Sequence, residues 1–295
     1  MRNFILLSII ILLFSSCSES ETHAQQLKEK YDIQPFLTRL DSIGYDITND
    51  TLMFQIGYQI NYFGKFDKGN ALIEYALSKR DSVGAHDFQS WSVLNSKNGN
   101  YSIAINKLEK AIEMDFQEEA DYYGWLLLYY YRDYEKSLSI LEKYDALTPT
   151  FSDAPMGEDI HYLKGLCHMQ MNHYQKAIDE FDIYINNLAT THGEDFVDVY
   201  TFVQKGRCLA ELGKQNEAIL SYKKAIKYYE KCSEAYYFMG LTQLEMNNKV
   251  DACVNFNIAL DLINTGYKSS DNYVEYFHEI YPQQIEESIA ESCKD

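Results

Sequence analysis

The stretch of sequence that decides the fold reads YTFVQKG at residues 200–206, and EAYYFMG at residues 234–240 repeats it 34 residues later. The two copies stay in register beyond these segments, through the pairs Ala218 and Ala252, Tyr222 and Phe256, and Ala225 and Ala259. Each pair has the same separation of 34 residues. A fixed period of this length predicts a repeat architecture built from one small supersecondary element.

The same template finds six repeats, at about residues 50–84, 85–117, 118–157, 158–198, 199–232 and 233–266. Small residues recur at repeat positions 8, 20 and 27, with an aromatic residue at position 24. This pattern resembles the tetratricopeptide-repeat (TPR) family, whose repeats are pairs of helices, A and B. The resemblance implies an all-α fold, a right-handed superhelix or α-solenoid in which each repeat is stabilised by stacking on its neighbours.

The third and fourth repeats depart from the template. Trp125 and Tyr144 stand where the third repeat should have small residues, and Tyr184 replaces one in the fourth. Insertions of about six or seven residues fall near 150–157 and 188–194. We therefore expect any specialised binding region to lie around these two repeats.

The regions outside the repeats are predicted to be a tether with an N-terminal helical leader at 17–49 and a C-terminal capping helix at 267–295. In the C-terminal region, apolar residues recur at helical spacing, with Pro282 expected at a helix start. These apolar residues are Tyr273, Phe277, Ile280, Ile285 and Ile289.

The first residues have the pattern of an export signal. Arg2 precedes an apolar run at 4–14 that is too short to span a bilayer. The sequence FSSC at 14–17 resembles the lipobox of bacterial lipoproteins, which implies a signal peptide at 1–16 and a lipid on Cys17. Ser18 rather than Asp follows Cys17, as in the outer-membrane class of lipoproteins, and the acidic leader SESE at 18–21 resembles the surface-export signals of Bacteroidetes lipoproteins. A short Ser/Glu run is otherwise an ordinary flexible tether. We expect a lipid anchor in the outer membrane, on its periplasmic or surface face; the alternative is plain secretion.

Charge and motifs argue against several classes of function. The chain has 26 basic and 44 acidic residues, a formal charge of -18 that repels nucleic acid. It contains no GxSxG, GxxxxGK[ST] or HExxH motif, so we expect neither an enzyme nor a cofactor. Residues His161, Cys167, His168 and His173 cluster in one repeat but lack ligand spacing, and no metal site is predicted.

The cysteines predict no disulfide framework. If Cys17 is lipidated, five cysteines remain, at irregular spacing. Cys167 and Cys208 occupy equivalent positions in neighbouring repeats, and packed helices place such positions about 8–10 Å apart. Since a disulfide needs Cα atoms within about 7 Å, we interpret both as small core residues.

The resemblance places the function on the concave face, which helix A lines at positions 2, 5, 9, 12 and 13. These positions are aromatic and acidic here, with Lys97 and Arg207 as cations. The predicted groove residues are Phe54, Tyr58, Tyr122, Tyr129, Tyr162, Tyr200, Arg207 and Tyr237. Tyrosine rings suit extended peptides or sugar rings, although many of these tyrosines could simply be packing residues.

The expected function is a non-enzymatic scaffold of the bacterial envelope that binds another envelope protein or an extended peptide. The arrangement resembles TPR lipoproteins that assist outer-membrane protein assembly. The alternative is a glycan-binding lipoprotein similar to the SusD-like family, whose members are usually longer and carry large insertions.

Overall fold

The computed structural model describes residues 33–63, 66–272 and 274–293. Cys17 and the predicted signal peptide lie outside these ranges. Within them the regular structure is entirely helical, which confirms the all-α fold class. None of the helices described is long and apolar enough to cross a membrane. The chain divides into two compact bodies, Met1–Glu119 and Ala120–Asp295, with the division inside one helix.

The first body contains a leader helix and two helical pairs. Its helices are α1 (Gln34–Ser42), α2 (Asp50–Tyr62), α3 (Phe66–Leu77), α4 (Ala85–Lys97) and α5 (Tyr101–Met114), followed by the start of α6 (Phe116–Leu126). Helix α2 packs against α3, and α4 against α5. Asn49 caps α2 by accepting a hydrogen bond from the Leu52 N–H.

Asparagine side chains connect the two helical pairs of the first body. Asn61 on α2 donates to Asn70 on α3 at 3.0 Å and accepts from Asn98, just after α4, at 2.8 Å. The indole N–H of Trp91 donates to the same Asn70 oxygen at 2.7 Å. Because Asn61 is fully buried, these bonds fix the register between the pairs.

The second body contains the remaining helical pairs and the C-terminal helix. Its helices are α7 (Tyr134–Asp145), α8 (Ile160–Gln170), α9 (Tyr174–Thr191), α10 (Val199–Glu211), α11 (Gln215–Tyr228), α12 (Ser233–Glu245), α13 (Lys249–Asn264) and α14 (Pro282–Ser292). A π-helical turn, Leu127–Tyr131, continues α6. Single 3-10 turns lie at Pro155–Gly157, within the first insertion, and at Glu194–Phe196, at the end of the second, whose first residues continue α9 to Thr191.

Close contact between paired helices explains the small residue at position 8. A Cβ atom on Gly240 would lie 2.7 Å from Cε1 of Phe256, the aromatic residue at position 24 of the same repeat. The equivalent pairs, Gly165 with Phe181 and Gly206 with Tyr222, are packed at least as closely. Helix A therefore approaches helix B so closely that an added methyl group would displace the ring.

The third repeat follows the same rule one residue out of register, which corrects the sequence interpretation. Gly124, not Trp125, is its position of close approach, because an added Cβ would lie 2.7 Å from Leu141. Ser137 Oγ donates to the Gly124 carbonyl at 2.7 Å across the same contact. The π-helical turn after Leu126 accommodates one extra residue, so a template of fixed period misplaced the first half of this helix.

The C-terminal helix is shorter than the predicted region. It covers Pro282–Ser292, with Pro282 in its first turn, whereas residues 267–272 and 274–281 form no helix. Ser, Asp and Asn at 269–272 favour turns, and Pro282 disfavours helix in the residue before it. Phe277 and Ile280 are therefore not on a helix, and Tyr273 lies outside the described residues. Ile285 of α14 is fully buried in a cluster with Phe256.

A disulfide joins the last two helices, which the sequence analysis did not foresee. Cys253 on α13 is bonded to Cys293, just after α14, with Cα atoms 5.3 Å apart. The residues lie 40 positions apart and at no shared repeat position, so their spacing gave no signal. Cys167 and Cys208 are fully buried without a disulfide, in agreement with their interpretation as core residues.

Candidate peptide-binding groove

A non-helical stretch of the chain lies against the π-helical turn that follows α6 and against α10 and α12, in the second body. We call residues 267–272 and 274–281, which connect α13 to α14, the groove segment. Val274, His278 and Ile280 of this segment are buried, while Tyr276 and Phe277 are half-buried. The predicted concave face of these repeats is thus covered by the protein's own chain.

The start of α12 holds the first part of the groove segment. Ser233 Oγ donates to the Tyr267 carbonyl at 2.7 Å, and the Ser269 N–H donates to Glu234 Oε1 at 2.7 Å. Glu234 is 1% exposed, and burial raises the pKa of its carboxyl group. Both bonds involve backbone atoms of the segment.

Two arginines bind main-chain carbonyls further along. Arg132 Nη2 donates to the Glu275 carbonyl at 2.8 Å, and Arg207 Nη1 donates to the Phe277 carbonyl. Arg132 follows the π-helical turn directly and has a left-handed backbone conformation, with φ of 55°. These bonds require a backbone of suitable path rather than a particular side chain.

Phe277 occupies a site with aromatic walls. Its ring stacks on Tyr129 with centroids 5.5 Å apart and meets Tyr134 edge-on at 6.1 Å. The guanidinium carbon of Arg132 lies 4.3 Å from the Phe277 centroid, so one arginine contacts both the ring and the backbone before it. This site provides side-chain selectivity beside the backbone contacts.

His278 lies between two tyrosines and is 3% exposed. Its ring is stacked on Tyr200 at 4.0 Å and on Tyr276 at 5.3 Å, with an interplanar angle of 11° in both pairs. His278 Nε2 is 3.0 Å from Ser269 Oγ. Burial, and secondarily the charge of Arg207, lower the pKa of His278 to about 3. The ring that lies here is therefore flat and neutral near pH 7.

Glu158 positions the aromatic floor of the groove. Its carboxylate accepts hydrogen bonds from Trp125 Nε1 at 2.7 Å and from the Tyr129 hydroxyl at 2.9 Å. Burial raises the pKa of Glu158, and the charges of Asp198 and Asp271 add to this effect. The hydrogen bonds of Glu158 hold Tyr129 in the orientation that stacks on Phe277.

The structure assembles some of the predicted groove residues and not others. Tyr129, Tyr200 and Arg207 contact the groove segment, and Tyr237 shares a cluster with Ile280. Tyr162 is buried against Phe181 and Tyr184, and Tyr122 is buried beside Trp125. Phe54 and Tyr58 belong to the first body, where Phe54 lies under the guanidinium of Arg80. That these residues bind a partner stays a prediction.

Three contributors were missed by the sequence analysis: Trp125, Arg132 and the groove segment itself. Aligning Gly124 with the other position-8 glycines would have placed Trp125 at the groove-lining position 9. Arg132 lies beyond position 13, the last helix A position that the family resemblance assigns to the concave face. Its partner Glu275 is 143 positions further along the chain. No local pattern could have indicated that contact.

Within the histidine cluster of the fourth repeat, His161 makes ordinary polar contacts, whereas Nδ1 of the buried His168 has no hydrogen-bond partner in the described part of the chain. His161 Nδ1 lies 2.7 Å from Glu180 Oε2, and Lys164 pairs with the same carboxylate and with Asp145. Among the residues that the structure describes, no group of three His, Cys, Asp or Glu side chains could hold a metal ion.

Comparisons with known proteins agree with this architecture. A family model described as a tetratricopeptide repeat matches residues 199–232. No curated protein matches the chain in sequence.

Among solved structures, a TPR protein from Parabacteroides merdae is 15% identical with a TM-score of 0.54, covering 95% of this chain and 100% of that one. The C-terminal part of a TPR protein from Cytophaga hutchinsonii is 19% identical with a TM-score of 0.55, covering 83% and 96%. A MamA fragment from Desulfovibrio magneticus is 15% identical with a TM-score of 0.52, covering 62% and 96%. Residues 199–232 thus form a tetratricopeptide repeat, and the chain has the fold of TPR proteins.

Proposed function

We propose that this TPR protein is a non-enzymatic scaffold for protein–protein interaction that holds non-helical polypeptide on its helix A surface. The observation that supports this most directly is the way the groove segment is bound. Arg132 and Arg207 donate to its carbonyls, and Tyr129 stacks on its phenylalanine. Backbone hydrogen bonds combined with pockets for selected side chains are a general mode of peptide recognition.

We further propose that the scaffold acts in the bacterial envelope, anchored to the outer membrane by a lipid on Cys17, with another envelope protein as partner. The FSSC sequence at 14–17 supports the anchor. The Cys253–Cys293 disulfide supports export, because disulfides persist in oxidising compartments such as the periplasm and are rare in the cytosol. Assistance to outer-membrane protein assembly is one role that such a scaffold could fill.

Site-specific photo-crosslinking in cells tests the scaffold. Benzoylphenylalanine replaces Tyr58 or Trp125, both half-buried aromatic residues on helix A, so the probe resembles what it replaces. Control probes replace Leu220 and Val250 on helix B, which are 63% and 76% exposed. We expect adducts of discrete mass from at least one helix A position and none from the controls.

Two results would contradict the proposal. Equal adducts at all four positions, or none at either helix A position, would remove the assignment of this surface to partner binding. Binding on a glycan array that disappears with Trp125→Ala would instead favour the sugar-binding alternative, because indole rings stack on sugars.

A further inference from the structure

We propose that residues 274–279 are a displaceable internal ligand, and that the partner of this groove is a non-helical peptide that presents an aromatic side chain where Phe277 now lies. The internal stretch turns at this point, where the Glu279 N–H donates to the Tyr276 carbonyl at 3.1 Å. The proposal rests on the proposed function and adds the chemistry of the ligand and a competing segment in the same chain. The partner would replace the backbone carbonyls of Glu275 and Phe277 with its own.

The contacts of this stretch can be transferred to another peptide. Arg132 and Arg207 bind main-chain oxygens, which every peptide carries. The site formed by Tyr129, Tyr134 and Arg132 accepts an aromatic ring, and Tyr200 offers its face to the next side chain. A peptide from another protein that carries an aromatic residue followed by a residue with a flat, neutral side chain would make the same contacts.

Residues 274–279 can also leave without unfolding a regular element. They form no helix, and Glu275 is exposed while Tyr276 and Phe277 are half-buried. Their acidic side chains are bound within the C-terminal region itself, since Glu275 accepts from the Tyr281 hydroxyl at 2.7 Å and Glu279 pairs with Lys268 at 3.1 Å. Release exposes Val274, His278, the buried sides of Tyr276 and Phe277, and the groove side chains beneath them, such as Tyr129. A partner in the groove would cover the groove side chains again.

Both ends of the stretch are fixed independently of the groove. Before it, Ser233 holds the Tyr267 carbonyl; after it, Ile285 is buried in the core and Cys293 is bonded to Cys253. The stretch can thus loop out while α14 stays in place. A tethered segment has an effective concentration in the millimolar range, so it competes strongly with any free peptide.

A peptide-binding assay on the full mature chain tests the inference. The probe is a fluorescein-labelled synthetic peptide with the sequence of residues 274–281, VEYFHEIY. We compare wild type with Phe277→Ala/His278→Ala, which weakens the internal copy, and with the same variant carrying Arg132→Ala. The matched control is Leu220→Ala, an exposed position on α11.

Fluorescence anisotropy should show that the peptide binds the double variant at least about tenfold more tightly than wild type. The reason is that the fraction of molecules in which the groove is open limits the apparent affinity. Arg132→Ala should abolish the gain, and the control should bind like wild type. Hydrogen exchange on wild type provides a measurement without substitutions: excess peptide should raise the exchange of amides in 274–279.

The outcomes separate this inference from the proposed function. A folded double variant that gains no affinity, together with unchanged hydrogen exchange in wild type, would overturn the displaceable ligand. If crosslinks at Tyr58 or Trp125 still form, the scaffold stands and the inference alone fails. Concentration-dependent dimers of wild type that exchange their segments would also overturn it, because the occupant would then be a second copy of the chain.

Discussion

Loss of the Cys253–Cys293 disulfide should destabilise the C-terminal end of the second body. The two cysteines are separated by 40 residues, and their Cα atoms lie 5.3 Å apart, within the range found for disulfides. The chain-entropy relation for a closed loop of this length gives about 4 kcal/mol at 25 °C. That free energy is lost through greater freedom of the unfolded chain rather than through a missing native contact.

The effect should be concentrated at α14 and the groove segment, because repeat proteins unfold in steps between neighbouring elements. If the second body unfolds as one unit, about 2–4 °C of melting temperature is lost per kcal/mol, so its transition should move down by about 8–16 °C; separate unfolding of the C-terminal end gives a larger shift. Trp125 contacts the aromatic floor of the groove and reports this region by fluorescence when Trp91 is replaced by phenylalanine. The comparison is between the oxidised protein and Cys253→Ser/Cys293→Ser.

Thiol labelling shows whether the disulfide forms, which the comparison of melting temperatures requires. Alkylation of the unfolded, unreduced chain should modify Cys167, Cys208 and Cys232 and leave the disulfide pair unmodified. If Cys253 and Cys293 react as well, the bond does not form. If it forms and the double variant nevertheless melts at the temperature of wild type, the loop-closure reasoning is wrong for this chain.

Three further perturbations have defined outcomes. Gly240→Ala puts a methyl group 2.7 Å from Phe256, and the over-packing should outweigh the helix propensity gained, with a net loss of about 1 kcal/mol in urea melts. His278 has a folded pKa of about 3, below that of the unfolded chain, so the unfolded form binds more protons between pH 6.5 and 3 and stability falls as the pH drops. His278→Phe should remove this component, about 1.4 kcal/mol per pH unit, from the acid dependence of Trp125 fluorescence. Cys17→Ser should abolish labelling by a palmitate analogue and release the protein from the membrane fraction, and unchanged fractionation would contradict the anchor.

The helical repeats were predictable because their constraint is local. Gly206 and Gly240 each face an aromatic residue 16 positions further on, so the sequence shows both partners of the contact at a fixed interval. In the third repeat the interval from Gly124 to Leu141 is 17, and the π-helical turn between them absorbs the difference. Hydrophobic periodicity carries no signal for such a turn, which is why Trp125 was misassigned.

The candidate groove was only partly predictable, since its contacts join residues far apart in the chain. Tyr129, Tyr200 and Arg207 followed from their positions on helix A. Their occupant did not, because Phe277 was assigned to a capping helix by its spacing from Ile280. The same spacing also fits a non-helical segment in which Phe277 packs among tyrosines and Ile280 packs beside Tyr237.

The bound segment also changes what the acidic charge of the groove means for a partner. An acidic, aromatic surface suggests a basic ligand, yet Glu158 already accepts hydrogen bonds from Trp125 and Tyr129, and Glu234 accepts one from a backbone N–H. Their raised pKa values reflect burial, so these carboxylates are committed to the protein's own donors. The groups that reach the carbonyls of Glu275 and Phe277 are cationic, Arg132 and Arg207. The contacts with the groove segment depend on backbone path and ring shape, and the net charge of -18 is a property of the whole chain rather than of this groove.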